Sequence, residues 1–146
     1  PNGIIKWIGD IKNIATAQGL DHVLDVVFHN ATKVDRWYIG LKHAGHASTA
    51  DKLSSHAGCT ECANYTGNRQ EFVEAAAYSG SIPNSASKAS FNINANNQVI
   101  AGGFLCSADT GTSGTLFSVV DFTGDNKTCD SGDTLEVTYT ISANNV

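Results

Sequence analysis

From Thr134 to Ser142 the sequence alternates without a break: Leu135, Val137, Tyr139 and Ile141 are apolar, and Glu136, Thr138, Thr140 and Ser142 are polar. Only a backbone that points successive side chains to opposite faces satisfies this pattern, so the segment predicts a strand with one buried and one wet face. Such a strand needs a neighbour to pair with and an apolar layer to cover it, which commits the rest of the chain to building a sheet. Upstream, Ser90-Phe91-Asn92-Ile93-Asn94 also alternates, and Ala95-Asn96-Asn97 supplies turn residues that tolerate positive φ. Gln98-Val99-Ile100-Ala101-Gly102-Gly103-Phe104-Leu105 then returns, and together these segments predict a hairpin.

Leu116 to Phe122 reads as a further strand after the turn Gly111-Thr112-Ser113-Gly114. The aromatic, β-branched stretch Val34 to Leu41 reads as the first strand and Gln70 to Tyr78 as the second. A count of roughly six or seven strands punctuated by turns predicts a mainly β fold, an antiparallel β-sandwich or jelly-roll-like domain. The span Lys42 to Arg69, rich in Ala, Ser, His and Gly, reads as a long loop, and a loop of that length is expected to serve function or assembly.

The N-terminal part follows a different period. Leu20, Val23, Leu24, Val27 and Phe28 form the i, i+3, i+4, i+7, i+8 stripe of an amphipathic helix, with Asp21, His22 and Asp25 off the stripe and Thr16 placed to cap it. Ile4, Ile8, Ile11 and Ile14 repeat at helical spacing, so the helix either begins earlier or comes in two pieces broken near Gly9 or Gly19. The organisation expected is one domain overall, an N-terminal α-helical arm over residues 1–30 and a β-sandwich domain over residues 31–146.

Charge narrows the partners. A formal charge of −5 with a pI near 5.3 offers no basic stripe to neutralise phosphates, which argues against nucleic acid. No stretch approaches the roughly 20 apolar residues that cross a bilayer, because Lys6, Gly9, Asp10 and Lys12 interrupt the one near the start. Pro1 to Ile5 does not read as a signal peptide, and Pro1 is what removal of an initiator Met leaves, so synthesis and assembly in a cytoplasm are expected.

The sharpest local chemistry is Cys59-x-x-Cys62, with Cys106 and Cys129 in the strand-rich half. Two thiolates at this spacing can meet one tetrahedral zinc, but the second such pair is missing. Disulfides are the more ordinary alternative, and buried thiols the third; no cofactor is expected, structural zinc being the minor reading. No strand-to-helix elbow such as G-x-S-x-G carries a nucleophile, so the chain reads as not an enzyme. Asp121, Asp125, Asp130 and Asp133 crowd one region without the spacing of an EF-hand, and read as a solvated turn.

The helical start through Phe28, the strand Trp37-Tyr38-Ile39-Gly40-Leu41, and the segment Ser55-His56-Ala57-Gly58 followed by Glu61 form an ordered set of features. Ser85-Ala86-Ser87-Lys88 and the ending Gly132-Asp133-Thr134-Leu135-Glu136-Val137-Thr138-Tyr139-Thr140-Ile141-Ser142 complete it. In pattern and order, over most of the chain, this set resembles a group of small structural proteins of tailed bacteriophages. The resemblance implies a capsid cement or decoration protein: a homo-trimer on the outside of the head that clamps neighbouring copies of the major capsid protein, located at the virion's capsid surface after assembly in the bacterial cytoplasm. The chain departs from the pattern at Cys59, where an aromatic residue is expected after His-Ala-Gly, and with Cys62 this implies a local crosslink or metal in place of an aromatic plug.

A clamp of this kind needs surplus apolar surface. Ile4, Ile5, Trp7, Ile8 and Ile11 are the candidate partner-binding residues, on an arm with more aliphatic surface than a small sandwich uses. Two rivals stand beside this reading. One is a tail-associated protein, a fibre or spike component or host-surface adhesin, with Trp37, Tyr38 and Tyr65 stacking on sugar. The other is a secreted, disulfide-bonded β domain with glycans on Asn30, Asn64 or Asn126.

Overall fold

A computed structural model describes residues 4–55, 60–75, 80–122 and 126–143. After an irregular stretch over residues 4–13 come β1 (Ile14–Ala15), α1 (Ala17–Phe28), β2 (Tyr38–Ala44), β3 (Thr60–Cys62), β4 (Gln70–Glu71), β5 (Ser81–Pro83) and β6 (Ala89–Asn92). The chain continues through β7 (Gln98–Ile100), β8 (Gly102–Cys106), β9 (Leu116–Asp121), β10 (Lys127–Cys129), β11 (Thr134–Val137) and β12 (Thr140–Ser142). The protein is mainly β, with antiparallel sheets and, among the described residues, one short helix near its N-terminus, an arrangement consistent with a sandwich.

The central sheet runs β1-β9-β8-β2-β3, with β4 also on β2. Its two faces bury different sets of side chains. Ile39, Leu41 and Leu105 point inward and join Phe91, Ile100, Cys129 and Leu135 from the antiparallel ladders β10–β7 and β11–β6, with Ile93 and Tyr139 from the chain just beyond β6 and β11. Phe104, Cys106, Leu116 and Val119 point to the back, where Leu53 closes over them with no exposed surface. Alternation along β8 and β2 sets this division. Gly40, opposite Phe104, makes room for its ring: a Cβ at Gly40 would lie 2.2 Å from a ring carbon. One bulge breaks the rule, since Leu105 pairs Ser118 while Cys106 pairs Leu116, leaving Phe117 as the extra residue. Phe117 therefore turns to the inner side and meets Trp37 edge-on at 5.3 Å.

Several expectations are corrected. Residues 4–13 are neither helix nor strand, and the helix is confined to Ala17–Phe28. The first full strand lies three to four residues later than Val34 to Leu41, at Tyr38–Ala44. Within Gln70 to Ala75 only Gln70–Glu71 is strand, and Tyr78 lies outside the described residues. The hairpin does not form: β6 pairs with β11, placing Phe91 opposite Leu135, β7 pairs with β10, and β8 pairs with β2 and β9. Asn97 does adopt positive φ, at 56°, but its bend carries the chain from one ladder to another. Alternation specifies a face and leaves the partner open. The Lys42 to Arg69 span likewise is less of a free loop than its composition suggests, because β3 and the back-face cover around Leu53 both come from it.

The C-terminal alternation is realised with one interruption. Leu135 and Tyr139 are buried and Val137 and Ile141 half-buried, while Glu136, Thr138, Thr140 and Ser142 are exposed. Between β11 and β12 the buried Asn84 stands in for a pairing strand: its Oδ1 accepts from Tyr139 N at 2.6 Å and its Nδ2 donates to Val137 O at 3.3 Å. Burying an amide is tolerable here because both ends are hydrogen-bonded.

Candidate interaction surface

The helix begins where the sequence places its cap. Thr16 Oγ1 accepts from Gly19 N at 3.0 Å, and Thr16 N donates to Phe117 O at 3.0 Å, tying the first turn to the bulge. Gly19 is the only buried residue of the helix, pressed so close to the strand that a Cβ there would sit 2.3 Å from Phe117 O. Gln18 adds three bonds, accepting from Leu116 N and Leu53 N and donating to Gly114 O. His22 meets Trp37 edge-on at 5.6 Å.

These contacts leave the opposite side of α1 uncovered. The five residues of the apolar stripe, Leu20, Val23, Leu24, Val27 and Phe28, are 41–74% exposed. An amphipathic helix on a sheet ordinarily turns its stripe inward, and this one turns it outward because its inner side is made by Gly19, Gln18 and His22, with Val26 half-buried beside them. Each such side chain gains roughly 1.5–3 kcal/mol on full burial, so a contiguous stripe is a strong drive toward a partner. Asp21 and Asp25 lie beside it, Asp25 paired with His29 at 2.8 Å.

The five candidate arm residues divide by side. Ile4, Ile5 and Ile8 are 77–90% exposed, whereas Trp7 and Ile11 are half-buried. Trp7 packs on Phe122 at 6.1 Å, with Lys127 5.8 Å over its ring. Lys6 donates to Asp133 at 2.6 Å and lies 3.8 Å from Asp130; the Asp133 bond raises its pKa. Asn13 bonds Tyr139 Oη, which also bonds Ser118 Oγ, and burial pushes the Tyr139 phenol up. Between this arm, the inner face at Leu41 and Val120, and the chain from Leu135 to Thr140 is a cavity of about 400 Å³.

The other named residues sit in structural settings. Cys62, Cys106 and Cys129 are buried free thiols whose pKa values burial raises, the less reactive state, and Cys59 lies outside the described residues. Among the described residues no group of three His, Cys, Asp or Glu is placed to hold a metal. Asp130 and Asp133 close a tight turn, Asp130 N donating to Asp133 Oδ2 at 2.8 Å, Asp121 bonds Lys42, and Asp125 is not described. Tyr65 is buried on Phe91, Trp37 is held between His22 and Phe117, and Tyr38 packs on the back-face core, so these three rings serve packing.

Two buried cations escape a reading of composition. Arg69 is clamped by Glu61 through two bonds of 2.7 Å, donates to Ala108 O and Gly111 O, and lies 5.2 Å over Phe104. Burial pulls the Arg69 pKa down, but the Glu61 bonds and neighbouring negative charge outweigh it. Lys42 reaches Asp121, whose Oδ2 accepts from Ala47 N at 2.7 Å; burial alone raises the Asp121 pKa, and these partners bring it below the usual value. The one signal available is that Lys42 shares the back-face parity of Gly40 and lies in the middle of a strand whose neighbours Ile39 to Leu41 are buried. Arg69 carries none.

No protein-family model and no curated protein matches this chain.

Proposed function

We propose that the chain is a structural virion protein, a capsid cement or decoration protein that binds the outside of a major capsid lattice. It acts as a homo-trimer and without catalysis. The observation that carries this reading is the outward-facing stripe of α1, Leu20, Val23, Leu24, Val27 and Phe28, joined by Ile4, Ile5 and Ile8 on the arm. A domain anchored by Gly19 and Gln18 presents this stripe without spending it on its own core, which is what a clamp requires. The resemblance to small structural proteins of tailed phages supplies the lattice, and repetition on a symmetric shell turns a modest contact into strong retention.

Cryo-electron microscopy of the purified particle tests the reading. Density for this chain on three-fold or quasi-three-fold positions of the head, with α1 against the capsid protein, is the expected result. Density confined to the tail overturns it in favour of the fibre or adhesin reading. On a head lattice the paired substitution Leu24→Ser and Val27→Ser is expected to strip most copies from the particle.

A further inference from the structure

We infer that the cavity beside β11 is a strand-accepting slot, and that its occupant is the N-terminal segment, residues 4–12, of a second copy of this chain. The inference does not depend on the virion reading.

The slot follows from which strand edges are left open. Among the described residues β11 pairs only with β6, and β9 pairs with β1 only at Ser118 and Val119, so Val120 onward has no neighbour on that side. Six consecutive residues, Leu135 to Thr140, line the cavity. Side chains of a strand alternate between faces, so a run of consecutive residues borders a cavity when the strand presents its edge to it. The row Leu41, Gly103 and Val120 runs across the floor, with glycine in the middle leaving it hollow. An open edge over an apolar floor is the geometry of β-augmentation, in which main-chain bonds supply affinity and alternate side chains supply specificity.

The arm carries the matching pattern. Ile5, Trp7, Gly9 and Ile11 are apolar on one parity, and Lys6, Asp10 and Lys12 fall on the other, together with Ile4 and Ile8. Yet in its own copy the arm makes no strand, and among the described residues none of its backbone groups from 4 to 13 bonds another backbone group. The root explains why. Asn13 is tied to Tyr139 and β1 is fixed on β9, so the arm runs past the β11 edge at the cavity's width, touching it through side chains at Lys6 and Asn13.

An arm arriving from a second copy has no such root. Nine residues reach about 30 Å when extended, enough to leave one domain and lie along the edge of the next. Charge complementarity fixes the seat, because the Asp130 and Asp133 carboxylates that hold a copy's own Lys6 receive the same side chain from the incoming arm when the resident arm is exchanged out. Such an exchange gains the ladder bonds and the burial of Ile5 that the arm lacks at home.

A fluorescein-labelled peptide of residues 4–13, titrated into the full chain and followed by anisotropy and hydrogen exchange, tests this. Saturable one-to-one binding is expected, with exchange slowed at Leu135 to Thr140, and a peptide carrying Trp7→Ser and Ile11→Ser should bind about tenfold or more weakly. Filling the floor with Val120→Trp is expected to abolish binding in a chain that still melts cooperatively; if that variant does not fold, the comparison of the two peptides on the unmodified chain decides. Absence of saturable binding, equal binding of both peptides, or protection on α1 in place of Leu135 to Thr140 overturns the inference.

Discussion

The segment from Ala47 to Ser55 and the segment from Ile4 to Phe28 invert each other. The first is small and polar in composition, yet it seals the back of the central sheet, with Leu53 and Asp51 buried and Ala47 N held by Asp121. The second is rich in isoleucine, leucine and valine, yet most of its large apolar side chains face solvent. One leucine, delivered by a loop whose turns are satisfied internally, does more for the core than a whole amphipathic stripe whose helix docks through glycine. Hydropathy says which side chains need cover; the backbone that carries them decides who provides it.

Breaking the sealed side should give the largest effects. Arg69→Ala leaves Glu61 without its partner and frees two loop carbonyls, and is expected to cost about 3–5 kcal/mol in urea unfolding. A loss below the range of an exposed ion pair would show that the clamp is dispensable. Leu53→Ala removes the lid from Phe104, Leu116 and Val119, with an expected loss of about 2–4 kcal/mol by the same measurement. A near-neutral result would mean that the loop is not the cover described. On the open side, Leu24→Ser with Val27→Ser should change the stability of the isolated chain by no more than about 0.5 kcal/mol, read as an unchanged urea midpoint. A large loss there would place the stripe in the fold and erase the contrast.

What was legible in the sequence follows the same division. The alternation from Leu135 to Ile141 gave the face of each residue correctly, and Thr16 marked the start of the helix, because both are local rules. Partner choice was not legible: Phe91 pairs across to Leu135, and no short-range pattern distinguishes that from a hairpin with Val99. The early isoleucines share helical spacing, but side-chain anchors at Lys6, Trp7 and Asn13 lay the segment along the domain without a helix and leave Ile4, Ile5 and Ile8 exposed. Of the candidate binding residues, Ile4, Ile5 and Ile8 are outward while Trp7 and Ile11 face the cavity, a split that depends on where Phe122 and Leu135 lie. Arg69 with Glu61 and Lys42 with Asp121 were invisible because each joins residues whose closeness exists only after folding.

The contact between Gly19 and the carbonyl of Phe117 has a consequence for how this molecule can change. Because the helix is seated through a backbone approach and through Gln18, the letters written on its outer face are not read by the folding of the domain. Five positions, from Leu20 to Phe28, are therefore open to revision while the scaffold stays the same, and lineages or designers can re-address the protein to a new surface by editing that face alone.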